Sequence, residues 1–178
     1  MNPAGKKYKV LITTSGLGTR LGDITKYTNK ALIKVGKKPV LSYIIESYHT
    51  NTELVITLGH FGNHVKDFLT LTYPNRKFIF VTVDKYEGKG SSLGYSILRS
   101  KKFLQCPFIF HTSDTILKDK IRHNEFNWIG GYRGEGSSLY RSFNILNGKV
   151  QPIQEKGAMK PDYLAIGLVG IKDYLDFW

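Results

Sequence analysis

Cysteine is nearly absent from this chain, which holds one, Cys106, in 178 residues. A single thiol excludes an internal disulfide and the paired-cysteine zinc sites. Its neighbours Leu104, Pro107 and Phe108 predict a buried small hydrophobe at Cys106. Long apolar runs are also missing. No stretch approaches the roughly 18 residues that a bilayer span requires. Met1 to Lys9 are polar and basic, with no secretory-type apolar segment behind them. No membrane partner is expected, and a cytoplasmic setting is the default. Acidic residues are scarce: 14 Asp and Glu against 26 Lys and Arg leave a net charge of +12. That balance favours anionic partners such as nucleotides, sugar phosphates or nucleic acid. The lysines fall in scattered pairs, Lys6-Lys7, Lys37-Lys38 and Lys101-Lys102, which suits a solvated surface. No nucleic-acid partner is therefore expected. Internal repeats, low-complexity segments and linkers are lacking as well. With 41% hydrophobic residues over 178 positions, this predicts one globular domain, 1–178.

Strand-like and helix-like segments alternate along the chain. Residues 8–13, 53–58, 78–83 and 108–111 read as buried strands. Residues 39–49 and 61–71 read as helices, with Pro39 in the first turn of one. Ser91 or Ser92 is placed to cap a third helix carrying Leu93, Ile97 and Leu98. This order predicts an α/β fold with a doubly wound, mostly parallel, Rossmann-like sheet flanked by helices. The last third reads as an antiparallel hairpin region. Residues 128–132, 139–146 and 149–154 look like short strands, with Asn147-Gly148 as a hairpin turn. Residues 164–171 form another strand, and Asp173 begins a helical pattern that stops at Trp178. We read that ending as a cut inside a longer protein.

The most informative stretch is Thr13 to Leu21, which follows the first strand. Gly16 and Gly18 let the backbone turn tightly and bring its N–H groups near an anion. Thr19 adds a hydroxyl, and Arg20 a planar cation able to grip two phosphate oxygens. The spacing excludes a dinucleotide fingerprint, because Leu21 stands where the third glycine belongs. It also excludes a P-loop: no Gly-Lys pair has the earlier glycine and the following hydroxyl. Taken alone, the stretch is equally a surface turn or a phosphate site. Lys30 could meet phosphate oxygens held by that loop, although spacing alone describes a surface lysine. Asp114 follows the strand at 108–111, where parallel strands present ligand-binding groups. A hard carboxylate there suits Mg²⁺ bound together with substrate phosphates, and equally a turn or cap. His111 could reach the same edge or face the core. Glu155 and Lys156 follow a strand and could offer a carboxylate and a cation to a second substrate.

Together these pieces resemble the sugar-phosphate nucleotidyltransferase (NDP-sugar pyrophosphorylase) family, in its N-terminal nucleotidyltransferase domain. Gly16-Leu17-Gly18-Thr19-Arg20-Leu21, then Thr25, Lys30 and Lys38-Pro39, is similar to the family's opening signature. Gly90-Ser91-Ser92, Ser113-Asp114, Glu155-Lys156 and the strand carrying Gly167 follow in family order. The sequence departs from the pattern in four places. Asn29 and Gly157 replace prolines, Ser113 replaces a glycine, and Ser15 stands where Gly or Ala is usual. A second metal-binding aspartate of the family falls beyond Trp178.

The resemblance implies transfer of a nucleoside monophosphate from an NTP to a sugar 1-phosphate or similar phosphate monoester, with release of pyrophosphate. It implies Mg²⁺ as cofactor, held by Asp114. Gly16, Gly18 and Thr19 would hold the triphosphate, and Gly90 and Ser91 would lie against the base. Arg20 and Lys30 would stabilise charge during transfer. Lys156 would receive the acceptor phosphate and Glu155 a sugar hydroxyl, with Gly167 on the strand behind them. Relatives of this kind also activate phosphocholine, which keeps the acceptor open. An inactive nucleotide-binding or regulatory module of a larger enzyme is the alternative, and a homo-oligomer or an attached C-terminal domain fits either reading.

Overall fold

The structure is a computed structural model, and it describes residues 8–122 and 125–178. Strand β1 (Lys9–Thr13) leads into two 3-10 turns, Thr19–Thr25 and Lys30–Leu32, and a small hairpin of β2 (Lys34–Val35) and β3 (Lys38–Pro39). Helix α1 (Val40–Glu46), β4 (Glu53–Leu58), α2 (Gly62–Thr72), β5 (Phe78–Thr82), α3 (Leu93–Arg99) and β6 (Phe108–Thr112) follow. The last third holds β7 (Trp128–Tyr132), β8 (Ser142–Phe143), β9 (Ile145–Leu146), β10 (Lys149–Val150), β11 (Tyr163–Ile171) and α4 (Tyr174–Phe177).

The main sheet runs β5-β4-β1-β6-β11-β7, with β8 also paired to β11. Strands β5, β4, β1 and β6 are parallel, while β11 is antiparallel to both β6 and β7. The apolar runs that predicted these strands are buried on both faces, as parallel strands require. Val10, Ile12, Leu54 and Ile56 pack with Leu41, Ile44, Val65 and Leu69 from α1 and α2. Leu11, Val55 and Val81 point the other way, onto a cluster that includes Ile97 of α3. Helices therefore cover both faces, as the doubly wound reading expected. Each large side chain buried in this way contributes about 1.5–3 kcal/mol.

Several boundaries differ from the sequence reading. Pro39 has extended backbone (φ −58, ψ 150) and pairs with Lys34, so α1 begins after it and ends at Glu46. Leu71 of α2 is 81% exposed, because that helix turns Val65, Phe68 and Leu69 toward the core instead. The single strand expected at 139–146 is broken. Leu139 closes a turn on Gly136, and only 142–143 and 145–146 are extended. The expected strand at 149–154 shrinks to β10, with Gln154 bridged separately to Ser142. The Asn147-Gly148 turn does join β9 to β10, with φ of 50 and 72. Ser92 caps α3 through Tyr95 N–H at 3.0 Å. Cys106 is half-buried rather than buried.

His111 is a core residue, 1% exposed. Its Nε2 lies 2.9 Å from the Thr115 carbonyl, which can only accept, so Nε2 carries the proton. Nδ1 then accepts from the Tyr48 hydroxyl at 2.7 Å. Burial raises the Tyr48 hydroxyl well above its ordinary range, which keeps it a donor. Burial also pushes the His111 imidazole below its ordinary value, against the opposing effects of the Thr115 carbonyl and Asp114. The unfolded chain then takes up this proton more readily than the folded one. Stability is complete above the ordinary imidazole value near 6.5 and falls as pH drops through it toward the depressed folded value. A melting-temperature series across pH 5 to 8 is expected to show this decline, and His111→Gln to flatten it.

Candidate active site

Parallel pairing brings the C-terminal ends of β1, β4, β5 and β6 to one edge of the sheet. Because β11 is antiparallel to β6 and β7 to β11, Gly167 and Tyr132 come to the same edge. A cavity of about 1020 Å³ opens there. Four cations line it, Arg20, Lys30, Arg141 and Lys156, with the carboxylates Asp114 and Glu135.

The glycine loop forms one wall. Thr14 anchors its start to β4, with N–H to Thr57 Oγ1 at 3.1 Å and Oγ1 to the Thr57 carbonyl at 2.5 Å. Gly16 lines the cavity, and a Cβ there would meet nothing within 4 Å, so the backbone is open to a ligand. Gly18 has a different task. It has φ +71, and a Cβ there would stand 3.0 Å from Thr25 Cγ2 and 3.1 Å from Lys30 Cβ. Its bareness lets the Lys30 stem pack against the loop.

Lys30 Nζ lies 2.8 Å from Asp114 Oδ2, so the first loop and the end of β6 meet across 84 residues of sequence. Partial desolvation is the largest single influence on Asp114 and opposes its charge, but the Lys30 ammonium, the Thr112 hydroxyl and a backbone hydrogen bond at Asp114 together outweigh it and hold the carboxyl below its ordinary range. The turn beneath Asp114 is pinned by hydroxyls. Thr115 Oγ1 donates to the Ile166 carbonyl at 2.6 Å and lies 2.9 Å from Thr112 Oγ1. Gly167 makes this approach possible. Its φ is +73, and β11 shifts register between Ala165 and Val169. The far wall carries Lys156, whose neighbour Gly157 donates its N–H to the Ser137 carbonyl at 2.8 Å. Arg141 grips Glu155 through two hydrogen bonds of 3.2 and 2.8 Å.

Of the residues singled out from sequence, Gly16, Arg20, Lys30, Ser91, Asp114, Lys156 and Gly167 line the cavity. Gly18, Thr19, Gly90 and Glu155 do not. Thr19 is exposed at the start of its 3-10 turn, Gly90 precedes Ser91 with φ +90, and Glu155 is held by Arg141. Tyr86, Thr115, Glu135, Tyr140 and Arg141 line the wall without having been singled out. They sit in loops that carry no spacing signal.

Magnesium takes one or two carboxylates and completes its shell with phosphates and water. Among the described residues no three His, Cys, Asp or Glu side chains gather into a metal-binding group. Two carboxylates, Asp114 and Glu135, in a cavity lined by four cations suit a metal that arrives with phosphates and do not suit an all-protein cage.

No protein-family model matches the chain. The bifunctional protein GlmU of Campylobacter lari is 24% identical over 167 residues, 91% of this chain and 38% of that protein. The choline-phosphate cytidylyltransferase of Streptococcus pneumoniae is 30% identical over 118 residues, 65% of this chain and 49% of that protein. The chain is similar in sequence to nucleotidyltransferases of sugar phosphates and of choline phosphate. Solved nucleotidyltransferases share its fold. The CTP:phosphocholine cytidylyltransferase from Streptococcus pneumoniae superposes with a TM-score of 0.71 at 23% identity, covering 93% of this chain and 71% of that one. The inositol-1-phosphate CTP transferase from T. maritima gives 0.73 at 18% identity, covering 96% and 74%. The chain spans 38% to 54% of the length of the curated nucleotidyltransferases named first among its relatives. No helix among the described residues is long and apolar enough to cross a membrane.

Proposed function

We propose that this nucleotidyltransferase relative moves a nucleoside monophosphate from an NTP to a phosphate monoester, with a sugar 1-phosphate as the first acceptor to test. The single observation that carries the proposal is the Lys30–Asp114 pair at 2.8 Å, between the glycine–arginine loop and the Lys156 wall. An acceptor phosphate oxygen attacks the α-phosphorus in line. The bond to the bridging oxygen breaks, and pyrophosphate leaves with that electron pair. The nucleophile is already ionised, so the chemistry needs positioning and charge stabilisation rather than a strong base.

The loop backbone at Gly16 takes the triphosphate, while Gly18 and Thr19, outside the cavity lining, shape the loop behind it. Arg20 draws charge onto the leaving pyrophosphate, and Lys30 offsets charge along the chain of phosphates. Ser91 lies against the base, and Gly90, with φ +90, turns the chain just before it. Lys156 binds the acceptor phosphate. Glu155 acts on the acceptor hydroxyls through Arg141, which it grips, and Gly167 leaves room on the strand behind. Asp114 is the residue that would hold Mg²⁺, which would supply positive charge to offset that of the phosphates.

A second acceptor class is supported by the wall around Lys156. Tyr132, Tyr140 and Glu135 line that half beside the aliphatic Leu139 and Leu164, and no Asn or Gln lines the cavity among the described residues. Aromatic faces with a carboxylate suit an alkylated ammonium, as in phosphocholine. Pyrophosphate release across four NTPs, with glucose 1-phosphate and phosphocholine as acceptors, separates the classes. Arg20→Ala is expected to lower release about 100-fold with either acceptor. NTP binding without release by the wild-type protein would instead support a non-catalytic module.

A further inference from the structure

The glycine loop is held from behind by two residues that do not line the cavity, His60 and Asn29. His60 lies in the turn between β4 and α2 and reaches the loop at both ends. Its backbone N–H donates to the Ser15 carbonyl at 3.0 Å, where the loop begins. Its ring Nε2 lies 3.0 Å from the Thr25 carbonyl, where the 3-10 turn ends. A carbonyl only accepts, so Nε2 carries the proton. The His60 carbonyl in turn receives Asn29 Nδ2 at 2.6 Å.

Asn29 completes the brace. The same amide nitrogen donates to the Thr14 carbonyl at 2.7 Å, and Oδ1 accepts from Ala31 N–H at 2.9 Å. The side chain is fully buried, so these bonds form where water does not compete. It stands beside Lys30. The turn is itself pressed onto the loop: a Cβ on Gly59 would come within 2.5 Å of the Ser15 carbonyl oxygen. Phe61 follows with φ of 48, a strained value for a residue with a side chain, and turns the chain into α2. A proline at position 29 has no side-chain donor and could not make this brace.

We propose that His60 and Asn29 are positioning residues for the triphosphate grip. They fix both ends of the loop and the Lys30 segment before a nucleotide arrives. The inference rests on reading that loop as a triphosphate site. Preorganisation of this kind lowers the ordering cost of binding, so its loss appears in nucleotide affinity and KM before kcat.

The test pairs two measurements on wild type, His60→Ala, His60→Gln and His64→Ala. The first is calorimetric affinity for inorganic tripolyphosphate with Mg²⁺. The second is hydrogen exchange without ligand at Leu21 N–H and Lys26 N–H, which bond to the Gly18 and Asp23 carbonyls at 2.9 and 3.1 Å. His60→Ala is expected to weaken tripolyphosphate about ten-fold and to speed both amides. His60→Gln, whose amide can still donate to Thr25, is expected to restore both. His64→Ala, which removes only the ring stacked on Phe61, is expected to change neither. Wild-type affinity and exchange in His60→Ala would overturn the proposal, and so would equal losses in all three variants. A wild-type protein that ignores tripolyphosphate would sink the triphosphate reading instead, and the exchange rates alone would then decide whether His60 braces the loop.

Discussion

Lys30→Ala is expected to slow nucleotidyl transfer about 100- to 1,000-fold while leaving the fold almost as stable as before. The two effects separate because they rest on different energies. As a structural element, the pair with Asp114 is an ion pair whose carboxylate side chain is 60% exposed, and such pairs contribute about 0–1 kcal/mol. On the proposed reading, the same ammonium faces developing negative charge in the cavity and would act on the transition state directly. The Lys30 stem packs on Gly18, and truncation leaves that contact at Cβ, 3.1 Å from where a Gly18 Cβ would stand. A kcat loss with a melting temperature within a few degrees of wild type is the expected pattern. The pH dependence follows from the same pair. Asp114 contributes stability above the ordinary carboxyl value, and that contribution is lost as pH falls through its depressed folded value. Without Lys30 the Asp114 carboxyl moves upward, so this contribution to stability shrinks in the variant.

Gly167→Val is expected to cost about 2–5 kcal/mol of stability and most of the activity. Two penalties combine. Position 167 has φ +73, where a β-branched residue is strained. Its Cβ would also fall 2.5 Å from Thr112 Oγ1 and 2.6 Å from Thr112 Cγ2. Thr112 cannot retreat freely, because its hydroxyl lies 2.9 Å from Thr115 Oγ1 beneath Asp114. Urea melts of Gly167→Ala with and without Thr112→Ala separate the two. The double variant loses the collision with the hydroxyl and methyl but keeps the backbone strain. It should therefore recover part of the stability and not all of it. Full recovery would mean that the backbone at 167 tolerates a side chain.

The sheet and the first half of the site were legible in sequence for one physical reason. Parallel strands buried on both faces leave continuous apolar runs, and their C-terminal ends gather ligand-binding groups. That logic led to the loop at Gly16–Arg20 and to Asp114 at the end of β6. The stretch at 139–146 was misread because its apolar residues serve three purposes. Leu139 and Tyr140 line the cavity, Phe143 is core, and Ile145 and Leu146 lie in an exposed hairpin. Arg141 and Thr115 had no local signal, since their partners Glu155 and Ile166 lie 14 and 51 residues away. Asn29 was legible as a departure from the family pattern. Its task was not, because it depends on carbonyls 15 and 31 residues distant.

The most direct measurement is a phosphorus NMR record of the wild-type protein with Mg²⁺, each NTP in turn, and glucose 1-phosphate or phosphocholine. The expected result, for at least one pairing, is equal growth of free pyrophosphate and of a new diphosphate diester, both suppressed in Lys30→Ala. An unchanged NTP spectrum with every acceptor would contradict nucleotidyl transfer at this site, and so would an undiminished rate in the Lys30 variant.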